Sequence, residues 1–320
     1  MVRERSNALT GTNDPRYPAR MALKTEMRKP LVMADTLREF LKLIYQDRTI
    51  MSAKAVKGGG INLADQIYNV YSKAGPNVSQ SFKKNVKYFR DIWAVVKSHN
   101  ILSQACLQYT GLPLKKLIAN VDKYYWYWYW MPKKMKEKYY SDFIYFQIGR
   151  GIAKFRVYAN VKATHVAKFV DFLKKEISGP HHGGVESFKV TGPGAISGRA
   201  DAVVIYCTTK QVADTLANKL MKLKGYFNPQ VPGMTSRVSA GIGIATGAEP
   251  AQQATGLGAK PKEYGEDAQS FGTIRSELIA GAILNYNMNK HVYGEGFDVF
   301  CKFVQVAFKG YGLDSANPGD

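Results

Sequence analysis

Three short stretches between Ile152 and Cys207 limit the fold more than any other part of the chain: IAKFRVYAN, ESFKVTG and GRADAVVIYC. Successive side chains of a strand point to opposite sides, so Phe155, Val157 and Ala159 face a core while Lys154, Arg156 and Tyr158 share the other side. Lys189 in the second stretch, with Arg199 and Tyr206 in the third, extends the pattern. Strands that repeat it so closely describe one sheet face able to gather an anion such as phosphate.

The neighbouring segments fill in an α+β fold: a helical N-terminal region, then a mixed, mainly antiparallel sheet with helices packed on it. Residues 1–33 mix Pro, Arg, Asn and Ser without apolar period and are expected to form an extended or partly disordered basic arm. Residues 34–139 form a mostly helical region. Asp35 is placed as N-cap of TLREFLKLIYQ, whose Leu37, Phe40, Leu41 and Ile44 make an apolar stripe. VSQSFKKNVKYFRDIWAVVKSHN repeats the pattern with Val86, Phe89, Ile92 and Val96. Residues 140–320 form the α+β domain. In it FIYFQIG and IAKFRVYAN read as a hairpin or consecutive strands, and THVAKFVDFLKKEI as a helix with Thr164 as cap. A long loop spans about Ala245 to Ala268, Ser270 offers a cap to FGTIRSELIAGAILNYN, and residues 292–311 add a last helix that closes the core.

The net charge of +20 is uneven: residues 1–150 hold 26 Lys and Arg against 11 Asp and Glu, residues 151–320 hold 19 against 14. Such a field draws anionic partners. DKYYWYWYWM at 122–131, followed by PKKMKEK, reads as an aromatic strand beside lysines, able to stack on bases or grip a peptide. No RNP, KH or CxxC pattern accompanies it, so nucleic acid is not the favoured partner. Cys106, Cys207 and Cys301 are odd in number and far apart, which argues against a disulfide framework or zinc site and fits a reducing cytoplasm. The N-terminal segment has no apolar export region, and no stretch is long and apolar enough for a membrane span. A non-cleaved type III secretion signal leaves no mark of this kind.

The order AKFRVYANV, SFKVTG, GRADAVVIY, PGMTSRVSAGIGIA and SFGTIRSELIAGAI resembles the HopA-type effector family over roughly residues 140–290. Members of that family occur as type III effectors of plant-associated bacteria and as lyase-like proteins of class V lanthipeptide and thioamitide biosynthesis. The family is similar in turn to phosphothreonine lyases, which remove phosphate by β-elimination. The resemblance implies Lys154, Lys189 and Tyr206 as catalytic residues and Arg156, Arg199, Arg237 and Arg275 as phosphate ligands. In the lyases the strand motif is Lys-Phe-His, whereas this chain has Lys154-Phe155-Arg156, so the general acid of the lyases is missing from its place. Three readings stay open. Another group, such as His165, His181 or His182, protonates the leaving phosphate; Arg156 stabilises it as a dianion; or the protein binds phosphopeptide without turnover.

Elimination needs a base for the Cα proton, charge stabilisation on the carbonyl and neutralisation of the departing phosphate. Lys154 as base, Lys189 on the carbonyl, the arginines on phosphate and Tyr206 as donor form a consistent set. No metal or organic cofactor is expected. The expected partners are a phosphorylated peptide, in particular a ribosomal precursor, and a Ser/Thr kinase-like protein that phosphorylates it.

Overall fold

The computed structural model describes residues 17–52, 59–73, 81–100, 102–108, 110–123, 132, 136, 139–149, 153–178, 182–246 and 271–319. The aromatic run at 124–131, most of the long loop, Ser270, His181 and the His182 side chain lie outside them. The chain forms two compact units, and the division does not fall at residue 140. One joins residues 1–67 to 275–317, and the other holds residues 68–274 and 318–320.

The first unit is helical. It contains α1 (Tyr17–Arg28), α2 (Asp35–Gln46), α3 (Arg48–Met51), most of α4 (Gly59–Ser72) and, after the sheet residues, most of α9 (Phe271–Tyr293) and α10 (Phe297–Tyr311). The stripe read on α2 is buried as expected, with Leu37, Leu41 and Ile44 wholly enclosed. The Tyr45 ring stacks on Phe300 with centroids 5.7 Å apart, and Tyr286 meets Phe300 edge-on at 5.8 Å. Part of the expected arm is helical instead. Met27 of α1 is buried, Lys302 Nζ donates to its carbonyl, and Lys309 of α10 pairs with Glu26. A short helix is marginal alone, so α1 depends on α10 in a way that propensity does not reveal. The last helix starts at Phe297 and packs on α1 and α2, building this unit's core rather than closing the sheet's. Asp35 is the first residue of α2 and not its cap: Ala34 holds that position without a side-chain bond. The Asp35 charge still favours the helix N-terminus.

The second unit is built on seven strands: β1 (Cys106–Leu107), β2 (Phe143–Gln147), β3 (Phe155–Ala159), β4 (Val185–Thr191), β5 (Val203–Cys207), β6 (Ser236–Ser239) and β7 (Ile242–Thr246). Their order is β1-β2-β4-β5-β3-β7-β6, and every named pair is antiparallel. Of the two readings of FIYFQIG and IAKFRVYAN, the structure shows consecutive strands and not a hairpin, because β2 lies between β1 and β4 while β3 lies between β5 and β7. The tight hairpin is β6–β7, where Gly241 takes φ 75°, a left-handed conformation suited to glycine.

Helices α5 (Phe82–Val96), α6 (Leu114–Lys123), α7 (Val166–Ile177) and α8 (Lys210–Leu220) complete this unit. Ile144, Phe146, Val157, Phe188, Val190, Val203, Ile205 and Ile242 form one core with Phe89, Ile92, Leu117, Phe169, Leu173 and Leu216 of the helices. Each such side chain contributes about 1.5–3 kcal/mol when fully buried. Phe146 and Phe188 stack at 4.3 Å in its centre. Thr209 caps α8 by accepting from the Val212 amide. Thr164 caps nothing: it sits in a 3-10 turn before α7, and its hydroxyl meets His165 Nδ1 at 3.0 Å.

Candidate functional site

Residues directly opposed in antiparallel strands share a face, so the register shows which side chains stand together. One row reads Tyr145, Lys189, Val204, Tyr158, Gly243, Arg237 across β2, β4, β5, β3, β7 and β6. The next reads Gln147, Ser187, Tyr206, Arg156, Ala245. Rows on one face lie about 7 Å apart, two residues along a strand. Arg156, Tyr158, Lys189 and Tyr206 therefore meet on the face opposite the apolar core.

Arg156 is the most constrained member. Its guanidinium lies over the Tyr206 ring, 5.5 Å from the centroid. Its Nε is shut off from solvent and has no hydrogen-bond partner among the described residues. Burial works against the Arg156 charge, but Tyr158, Tyr206 and Tyr71 outweigh it and hold the pKa above the usual arginine value. A buried donor without a partner costs about 1–3 kcal/mol, which a ligand oxygen would relieve.

Arg199 does not lie on a strand. It precedes β5, bridged to Lys73, and its Nε and Nη2 each donate at 2.8 Å to the two oxygens of Asp201. Burial opposes the Arg199 charge here too, while Asp201 and then Tyr68 raise its pKa overall. The two-point bond fixes the guanidinium plane, and Tyr68 is a further hydrogen-bond partner of Arg199. Lys189 Nζ lies 4.3 Å and the Arg199 guanidinium carbon 5.1 Å from the centroid of the Phe143 ring, so one aromatic ring contacts both cations.

Sequence reasoning missed the floor beneath these cations. Tyr68 and Tyr71, at the end of α4, face Tyr158 and Asp201 electrostatically, and Tyr71 and Tyr158 both pack on Phe271. Burial is the first cause that raises the pKa of Tyr68, Tyr71 and Tyr158, so these phenols stay protonated donors. Arg199-Ala-Asp201 was a readable signal, because residues two apart in extended chain point the same way. The phenols of α4 left none, since their i, i+3 spacing is that of any helix face.

The other expected residues are placed differently. Lys154 is exposed one residue before β3, its amide donating to the Cys207 carbonyl. Arg237 is exposed on edge strand β6, on the same face but two strands beyond Tyr158. Arg275 is fully buried on α9 within the first unit, whereas the cluster belongs to the second. His165 packs at a tilt against Tyr226 with centroids 4.7 Å apart, and neither Tyr226 nor its other partner Thr164 belongs to the cluster. Among the described residues no group of three or more His, Cys, Asp or Glu stands close enough to hold a metal ion.

The description "HopA1 effector protein family" matches residues 134–319, more than half of the chain. The chain belongs to the HopA1 effector protein family. Two solved structures of effector proteins from Pseudomonas syringae share the fold of this HopA1 family member. One, from pv. tomato strain DC3000, is 16% identical with a TM-score of 0.57, over 93% of this chain and 98% of that one. The other, from pv. syringae strain 61, is 15% identical with a TM-score of 0.54, over 89% of this chain and 95% of that one. No curated protein matches the sequence. Among the described residues no helix is long and apolar enough to cross a membrane.

Proposed function

We propose that the chain is a phospho-Ser/Thr lyase, which binds the phosphate of a phosphorylated peptide on the polar face of the sheet and removes it by β-elimination. The observation that carries this reading is the enclosed Arg156 Nε, which lacks a hydrogen-bond partner among the described residues on a face that also holds Lys189 and Tyr206. In the reaction Lys154 takes the Cα proton and Lys189 stabilises the charge on the carbonyl. The C–H electron pair becomes the Cα=Cβ bond, and the Cβ–O bond breaks with its electrons leaving on phosphate. The products are a dehydroamino acid and inorganic phosphate. Elimination from the phosphate monoanion releases HPO4(2−), which Arg156 and Arg199 hold as a dianion while Tyr206 donates a hydrogen bond, so the proton already on the phosphate takes the place of one that a histidine would deliver. The substrate is a ribosomal precursor peptide phosphorylated by a partner kinase, or a host phosphoprotein if this effector-family member is secreted.

The test is mass spectrometry of a phosphothreonine peptide incubated with the protein and a thiol. Loss of phosphoric acid with a thiol adduct supports the lyase, and conversion to plain threonine overturns it. One observation favours a second reading, a phosphopeptide-binding partner without turnover. Burial is a main route by which a lysine becomes a neutral base, and Lys154 is exposed. Intact phosphopeptide, recovered bound and released by Arg199→Ala, is the outcome of that reading.

A further inference from the structure

The helices on the other side of the sheet carry a charge pattern that the cluster does not use. In the second unit α5 packs between α6 and α7, and Arg90 of α5 pairs with Asp122 of α6. Their inner sides, with Val86, Phe89, Ile92, Leu117, Val121, Phe169 and Leu173, belong to the sheet core, so their outer sides point away from the sheet. The three helices hold ten Lys and Arg and only four Asp and Glu.

All four acids are already occupied. Asp91 pairs with Lys87, Asp122 with Arg90, Asp171 with Lys174 and Lys175, and Glu176 with Lys219 of α8. Exposed Lys83, Lys84, Lys97, Lys115, Lys116 and Lys168 have no ion-pair partner among the described residues. A solvated helix face usually interleaves both signs. Here the internal pairs use up the negative charge and leave a surplus of lysines concentrated on one layer.

We propose that the outer face of α5, α6 and α7 is a docking surface for an Asp- and Glu-rich segment of a partner protein. Three helices side by side offer about 20 by 30 Å, the scale of one side of an ordinary protein interface. The cations are nine lysines to one arginine on these helices. Lysine is a mobile point charge that suits scattered carboxylates, whereas the planar fork of arginine is the better match to phosphate. None of the large apolar side chains exposed among the described residues lies on these helices, so the face lacks the wedge with which a membrane-surface helix inserts. The surface stands behind the core from Arg156, so this inference does not depend on the lyase reading.

The experiment measures binding of a fluorescein-labelled oligo-glutamate peptide to the full chain by anisotropy at low and physiological salt. The patch variant is Lys83→Glu, Lys84→Glu, Lys115→Glu, Lys116→Glu. The control, matched in net charge, is Lys42→Glu, Lys210→Glu, Lys222→Glu, Lys224→Glu, all exposed and outside the three helices. The expected result is a loss of about tenfold or more in affinity for the patch variant against less than about threefold for the control, steeper at low salt. Equal losses in both would show that only net charge is read and would overturn the proposal. So would absence of binding at low salt, or patch-dependent capture of oligo-uridylate RNA or phosphatidylserine vesicles in preference to the glutamate peptide.

Discussion

The two faces of the sheet are built from the same strands and differ in every physical respect. On one, Phe146, Val157, Phe188 and Ile205 are wholly buried under helices, and stability comes from the area they remove from water. On the other, the intervening residues Arg156, Tyr158, Lys189 and Tyr206 bring cations and phenols into partial burial, with one guanidinium nitrogen left without a hydrogen-bond partner among the described residues. Desolvated charge raises the free energy of the folded state. Its presence on strands otherwise well suited to pack argues that this face is shaped by what it binds.

That contrast can be broken from either side. The largest effect is expected from Phe146→Ala, which opens the stacked pair with Phe188 and costs about 3–5 kcal/mol in urea unfolding, with activity per folded molecule unchanged. A cost near zero would mean that the core is misassigned. Arg156→Ala should do the reverse, lowering elimination about 100-fold, or about 2.7 kcal/mol in the barrier, while stability holds or rises. If the variant unfolds with no separate loss of turnover, Arg156 is structural. Asp201→Asn removes the charge that holds Arg199 and should cost about 2 kcal/mol in stability along with phosphopeptide affinity; an unchanged affinity would assign the pair to folding alone.

Smaller effects probe the phenols and the edge. Tyr68, Tyr71 and Tyr158 bind their protons more tightly folded than unfolded, so stability is fully present below the ordinary phenol value of about 10 and falls as pH rises past it. Tyr158→Phe should flatten that alkaline loss, read as the urea midpoint against pH; an unchanged slope would remove Tyr158 from the linkage. Arg237→Ala, on the same face but exposed, should weaken phosphopeptide binding less than about threefold, and only at low salt. A tenfold loss would extend the site to the sheet edge.

Arg156, Lys189 and Tyr206 were legible before the structure because a period of two is local: each residue needs only its neighbours to declare its side. The apolar stripes of α2 and α5 were legible for the same reason. Arg199 was misread as a strand residue because its extended backbone continues the pattern of β5, and the turn before Val203 leaves no mark in RADA. Whether β2 and β3 pair as a hairpin or only follow one another was left open by the sequence, because a non-local fact decides it: β4 and β5 take the edges that a hairpin would have used.

The sequence alone determined which residues of each strand face together, and with that the chemistry of the polar face: arginines, lysine and phenols able to hold an oxyanion. Tertiary structure alone decided that β4 and β5 lie between β2 and β3, which brings Lys189, Tyr206 and Arg156 side by side. It also decided that Asp201 and the tyrosines of α4 surround them, and that Lys154 stays exposed. Side-chain alternation follows from the backbone of a single strand, whereas strand order and burial depend on contacts between residues far apart in the chain. No local pattern encodes those contacts.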